Sequence, residues 1–225
     1  MRHIAVRTVT ATAVAVLPLL VAGSAAHAGG PTNDHLAKNA HVSWVDRGGV
    51  PGLFGGNVHR GVVFVGDDAA TPGTDDVFGR IEDWRCPAGV LPPEVFVVDE
   101  EGPTPGPCTF RGARELEVPD AVATFRGTTG GAHLTGTARA ADVYGAAPAV
   151  RMPVDLTFRG LRPVERHVSV DSWVEDDGTK VTVRTTQTSR AAAVHGRVGS
   201  IRIGDERSDV VVGRLSSDQA VFTRS

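Results

Sequence analysis

Apolar residues along most of this chain recur at alternate positions in short runs, not at the third-and-fourth spacing of a helix. The runs are rich in Val, Thr, Phe and Ile, and Gly, Pro or Asp interrupts them roughly every 8–15 residues. This pattern predicts strands at His41 to Arg47, Arg60 to Val65, Val77 to Trp84, Ala121 to Arg126, Ala132 to Ala138 and Arg151 to Arg159. Further strands are expected at Arg190 to Val198, Ser200 to Ile203, Val210 to Leu215 and Gln219 to Thr223. No amphipathic helix of useful length is visible, and Asn33 to Ala40 reads as a helical turn or two at most.

Val168 to Thr186 carries the clearest local signal. Asp177-Gly178 is a two-residue hairpin signature, because a type I′ turn needs positive φ at both central positions. With that loop, residue numbers summing to 355 face each other. Glu175 then opposes Lys180 and Asp171 opposes Arg184, while Val174 meets Val181 on the other face. Trp173 falls on the charged face of this register, opposite Thr182, and is a candidate contact surface.

The tetrad Thr-Phe-Arg-Gly occurs at Thr109 to Gly112, Thr124 to Gly127 and Thr157 to Gly160. Alternation points Phe110, Phe125 and Phe158 one way and the arginines the other. The expected reading is a strand end, with the aromatic ring in the core, arginine on the surface and glycine at the turn. The spacings are irregular, so an aligned anion site is the lesser reading.

About 10–12 strands without covering helices must protect their faces and edges. The predicted fold is therefore all-β, an antiparallel β-barrel or barrel-like meander, with a two-sheet β-sandwich as the alternative. Glycines inside strands (Gly79, Gly136, Gly196, Gly213) permit the bends that closure requires.

The N-terminus follows a different pattern. Arg2, His3 and Arg7 are basic, Val9 to Val21 is mostly apolar, and Ala26-His27-Ala28 places small residues at a cleavage site. Residues 1–28 are therefore expected to be a cleaved signal peptide, with 29–39 a flexible segment and 40–225 a single all-β domain. The apolar run is shorter than the about 20 residues a spanning helix needs. No cysteine lies nearby for lipid attachment, so the mature form is expected to be secreted without membrane insertion.

Composition adds two points. The net charge is −3, and losing Arg2 and Arg7 leaves 21 basic against 26 acidic residues, or −5. That balance argues against nucleic acid as a partner. Lysine occurs only at Lys38 and Lys180, while Ala, Gly, Val and Arg abound. With the signal peptide and the strand texture, this usage resembles the uncharacterised exported β-rich proteins of high-GC Gram-positive bacteria. The resemblance implies an exported β-domain and no particular active site.

Cys86 and Cys108 are the only cysteines. An even count in an exported chain predicts a disulfide, here across a proline-rich segment in which only Val95 to Asp99 reads as a strand. Their spacing fits neither a CxxC redox motif nor a zinc pattern.

The expected mature chain carries no GxSxG elbow, HExxH or P-loop. Six histidines (His35, His41, His59, His133, His167 and His195) are dispersed, and the acidic clusters sit at turns without a calcium-loop pattern. No catalytic residue, metal ligand or cofactor is singled out. Leu53 and Phe54, amid glycines and a proline, are candidates for a contact tip or for closing one end of the barrel. The expected function is a non-enzymatic exported β-domain with a binding or structural role. Its candidate partners are a small hydrophobic ligand in a barrel cavity and a cell-surface component. The alternative is an exported hydrolase whose site is assembled from dispersed His, Asp or Ser residues.

Overall fold

The computed structural model describes residues 34–47, 57–68, 76–93, 106–204 and 208–224. The expected signal peptide, Leu53, Phe54 and the strand expected at Val95 to Asp99 lie outside them. Eleven strands and no helix are present among the described residues. They are β1 (Asp34–Asp46), β2 (Val58–Asp68), β3 (Asp76–Arg85), β4 (Thr109–Glu117), β5 (Val122–Arg126) and β6 (Gly131–Asp142). The remainder are β7 (Val150–Gly160), β8 (Glu165–Val174), β9 (Lys180–Val198), β10 (Ile201–Ile203) and β11 (Ser208–Arg224).

Every pairing is antiparallel. The order β9-β11-β1-β2-β3-β4-β6-β7 returns to β9, which gives a barrel-like ring of eight strands. Closure leaves those eight without a bare lateral edge where they pair. Beyond the ring, β5 pairs with β6, and β8 and β10 pair with β9.

Several expected boundaries change. β1 starts at Asp34, so the segment expected to be flexible over 29–39, and to turn helically at Asn33 to Ala40, is strand from Asp34 onward. Its partner explains this: Asp34 to Asn39 pair in register with Val221 to Ser216 of β11. Two pairs of expected strands are each one continuous strand, β9 of 19 residues and β11 of 17. Thr186 to Ser189 and Ser216 to Gln219 look like connectors because they are polar, yet they pair with each other residue for residue.

Alternation fills the ring. Ala40, Val42 and Trp44 of β1, Val63 and Val65 of β2, and Ile81 of β3 point inward with Leu116, Leu134, Leu156, Val194, Ile203 and Leu215. Trp44 sets one close approach, with its indole lying over Gly61, the residue opposite it on β2. A Cβ on residue 61 would occupy the space of the ring itself, so the bulkiest core side chain depends on this glycine.

A smaller apolar cluster lies on the outer side of one end of the β2–β4 sheet. Val58, Trp84, Cys86 and Cys108 are buried there, with Phe110 edge-on to Trp84 at 5.2 Å between ring centroids. Cys86 and Cys108 form the expected disulfide. Asn57 clamps the same point, accepting from Cys86 N at 2.9 Å and donating to its carbonyl at 3.0 Å.

Candidate functional site

β8 and the half of β9 that precedes the ring closure extend the sheet into a flap of four strands, β8-β9-β11-β1. The hairpin at its outer side is real, but its register differs from the sequence expectation by one residue. Val174 faces Lys180, Val170 faces Arg184, and Trp173 faces Val181, so residue numbers sum to 354. The loop has three residues, not two. Glu175 N donates to Thr179 O and Gly178 N donates to Glu175 O, both at 2.9 Å, with Gly178 at φ +86°. Asp176 and Asp177 thus form a type I turn, and Gly178 supplies the single left-handed position that follows it. Thr179 N donates to Asp177 Oδ1, which holds the Asp177 carboxyl below the usual carboxylate range.

The slip by one moves side chains across the sheet. Trp173 lies opposite the buried Val181, which in turn pairs with Arg224 of β11. Trp173 keeps 46% of its surface exposed, and Val168, Val170 and Val174 project from the opposite face at 40%, 60% and 65%. Nine of the ten β8 residues are exposed, on both faces of the sheet. Its backbone is also open on one side. The Glu175–Thr179 bond fixes the odd-numbered residues of β8 as those bonded to β9. Arg166, Val168, Val170 and Ser172 therefore turn their N–H and C=O groups outward, toward an edge with no strand on it among the described residues.

Of the six histidines beyond residue 28, five have described side chains, and these do not converge. His41 packs beside Phe64, and burial together with the nearby Arg214 pushes its pKa down. His133 bonds Asp155 at 3.2 Å, His195 bonds the Gly204 carbonyl, and His167 is exposed on β8. Only His59 is interior. It lies in a polar row, Asp46–His59–Asp83, formed by directly opposed residues of β1, β2 and β3 at one end of the ring. Each is at most 3% exposed. His59 Nδ1 donates to Asp83 Oδ1, while His59 Nε2, Asp83 Oδ2 and the neighbouring Trp44 Nε1 have no hydrogen-bond partner. Among the described residues no three His, Cys, Asp or Glu side chains are grouped to hold a metal ion.

Sequence reasoning missed the His59–Asp83 pair. The signal was nonetheless present: His59 continues the inward stripe Gly61, Val63, Val65, and Asp83 continues Val77, Gly79, Ile81. The three tetrads separate in space. Thr109 to Gly112 lies at a bulge in β4, while the other two flank β6.

No family model matches the chain, and no curated protein resembles it.

Proposed function

We propose that the chain is an exported, non-enzymatic domain that assembles through the open edge of β8, with a second copy as its partner. The observation that carries this reading is the ten-residue edge strand, exposed on both faces and unpaired along one side among the described residues. Such an edge is a template for strand addition, and proteins ordinarily blunt it with prolines, lysines or bulges. β8 contains neither proline nor lysine and pairs with β9 without a register shift.

The edge is also self-complementary. Two β8 strands related by a two-fold axis through Ser169 would place His167 opposite Asp171, Val168 opposite Val170 and Arg166 opposite Ser172. In that register the outward-facing residues 166, 168, 170 and 172 meet one another, so their free backbone groups pair. Shifting the axis to Val168 would oppose Glu165 to Asp171 and is disfavoured by repulsion.

Export rests on the N-terminal pattern and on the disulfide, which persists in oxidising surroundings. Nothing favours the hydrolase reading. The histidines are dispersed. The His59–Asp83 pair is sealed, with each member 1% exposed, and the His133–Asp155 pair lies apart from it on the surface. The interior is filled with side chains, which favours a surface partner over a ligand in the barrel.

Sedimentation of secreted protein tests the assembly. A concentration-dependent dimer is expected, and Val170→Pro is expected to weaken it by about tenfold or more, because proline removes an outward N–H. The same change spares the β8–β9 ladder, so circular dichroism should stay constant. A monomer at all concentrations, or a dimer indifferent to Val170→Pro, would rule the reading out. N-terminal sequencing of the secreted chain should begin at Gly29, and an intact Met1 would refute cleavage.

A further inference from the structure

β5 and β7 both run antiparallel to β6, on opposite sides of it, and so run parallel to each other. Their two tetrads are in the same register about that strand. Thr124 and Thr157 flank His133, Phe125 and Phe158 flank Ala132, and Arg126 and Arg159 flank Gly131. Phe158 is buried and Phe125 packs against the same core, which directs both arginines to the outer face. The two arginines are therefore two strand spacings apart, about 10 Å between backbones. Between them stands a residue without a side chain. Both are exposed, and neither guanidinium has a protein partner among the described residues.

Two further rows of this face carry arginines and histidines. The next outward row is Thr124, His133, Thr157 and His195, and the one after it holds Asp155, Arg197 and Arg202. Asp155 is the single carboxylate in these rows, and it is engaged with His133. Such a concentration of cations stands out on a chain whose net charge is negative. Repulsion between Arg126 and Arg159 would be relieved by an anion placed between them. A guanidinium presents a planar fork of donors that suits a tetrahedral oxyanion, and two facing forks suit one better than a point charge would.

We propose that Arg126 and Arg159 form a two-armed clasp over Gly131 for a tetrahedral oxyanion, a phosphate or sulfate group that is free or borne as a monoester. The proposal stands apart from the β8 edge, since it involves other strands and the outer face of the ring. The third tetrad supplies an internal control. Arg111 has the same local sequence but falls at the β4 bulge, opposite no residue of β3 and without a second arginine across a glycine.

The test is a titration of the secreted protein with inorganic phosphate, glycerol 3-phosphate and inorganic sulfate, at constant ionic strength made up with chloride. The readout is the Nε–H resonances of the arginines. Saturable shifts at Arg126 and Arg159, with the Gly131 amide moving in parallel and Arg111 unmoved, are expected. Preference among the three anions identifies whether a free phosphate, a monoester or a sulfate is held. Arg126→Ala should weaken binding by about tenfold, and Arg126→Lys should recover only part of it because the fork is lost. Both positions are exposed, so the variants keep the fold, checked by unchanged amide spectra elsewhere. Equal, non-saturating shifts at Arg111, or undiminished binding in Arg126→Ala, would overturn the clasp.

Discussion

Replacing Cys86 and Cys108 with serine lowers the stability of the domain by about 3 kcal/mol, which for a chain of this size is about 6–12 °C in Tm. The bridge closes a sequence separation of 22 residues, and the chain-entropy account gives about that amount for a loop of this length. The native side of the balance points the same way. The two cysteines are part of the outer cluster with Val58 and Trp84, and Val90, Phe110 and Val45 pack against it. Without the bridge, the two Asn57 hydrogen bonds and the packing on Val58 and Trp84 remain to hold Cys86. The loss should therefore begin locally, with Trp84 becoming accessible to a fluorescence quencher before the ring opens. Urea unfolding with and without reductant measures both effects. An unchanged midpoint in the double serine variant would show that the cluster holds without its staple.

The disulfide, the strand texture and the ring-like closure were legible because each rests on composition or alternation, which are local properties. The β8 hairpin was legible in place but not in register. Asp177-Gly178 announces a turn, yet whether Asp176 belongs to the loop depends on one backbone angle at Gly178, and that one residue decides which face Trp173 occupies. The continuous strands β9 and β11 were hidden for a different reason. Their polar middles, such as Thr185 to Ser189, are held by partners across the sheet and not by burial, so no hydrophobic pattern marks them. The alignment of two tetrads across β6 was beyond reach, because it depends on the lengths of two turns and not on the tetrads themselves.

The two proposed surfaces reinforce each other by geometry. A clasp on exposed arginines binds an isolated anion weakly, since water and salt compete for it. Pairing two domains through β8 would carry two clasps on one assembly, and a ligand bearing repeated oxyanions would then bind with gained effective concentration. Val170→Pro should accordingly lower affinity for a repeated anion while leaving single-anion shifts at Arg126 and Arg159 unchanged.

Asp83→Ala has the second large effect expected, a loss of about 3 kcal/mol. Asp83 and His59 face each other across β2 and β3 in the interior, each 1% exposed. Truncating Asp83 leaves the ring of His59 with neither nitrogen satisfied, because Nε2 already lacks a partner. It also opens a void beneath Ile81 and Trp44, the next inward row. The cost thus combines an orphaned polar group with a cavity. A double change, His59→Phe with Asp83→Val, removes both polar groups and restores volume. It should be less damaging than Asp83→Ala alone, since replacing both members of a buried polar pair avoids the unsatisfied remainder. A double-mutant cycle with His59→Ala, Asp83→Ala and both together measures the pair directly. Coupling of about 1–3 kcal/mol is expected for side chains in contact. Additive single costs would mean that the two residues act only as fillers of the barrel end.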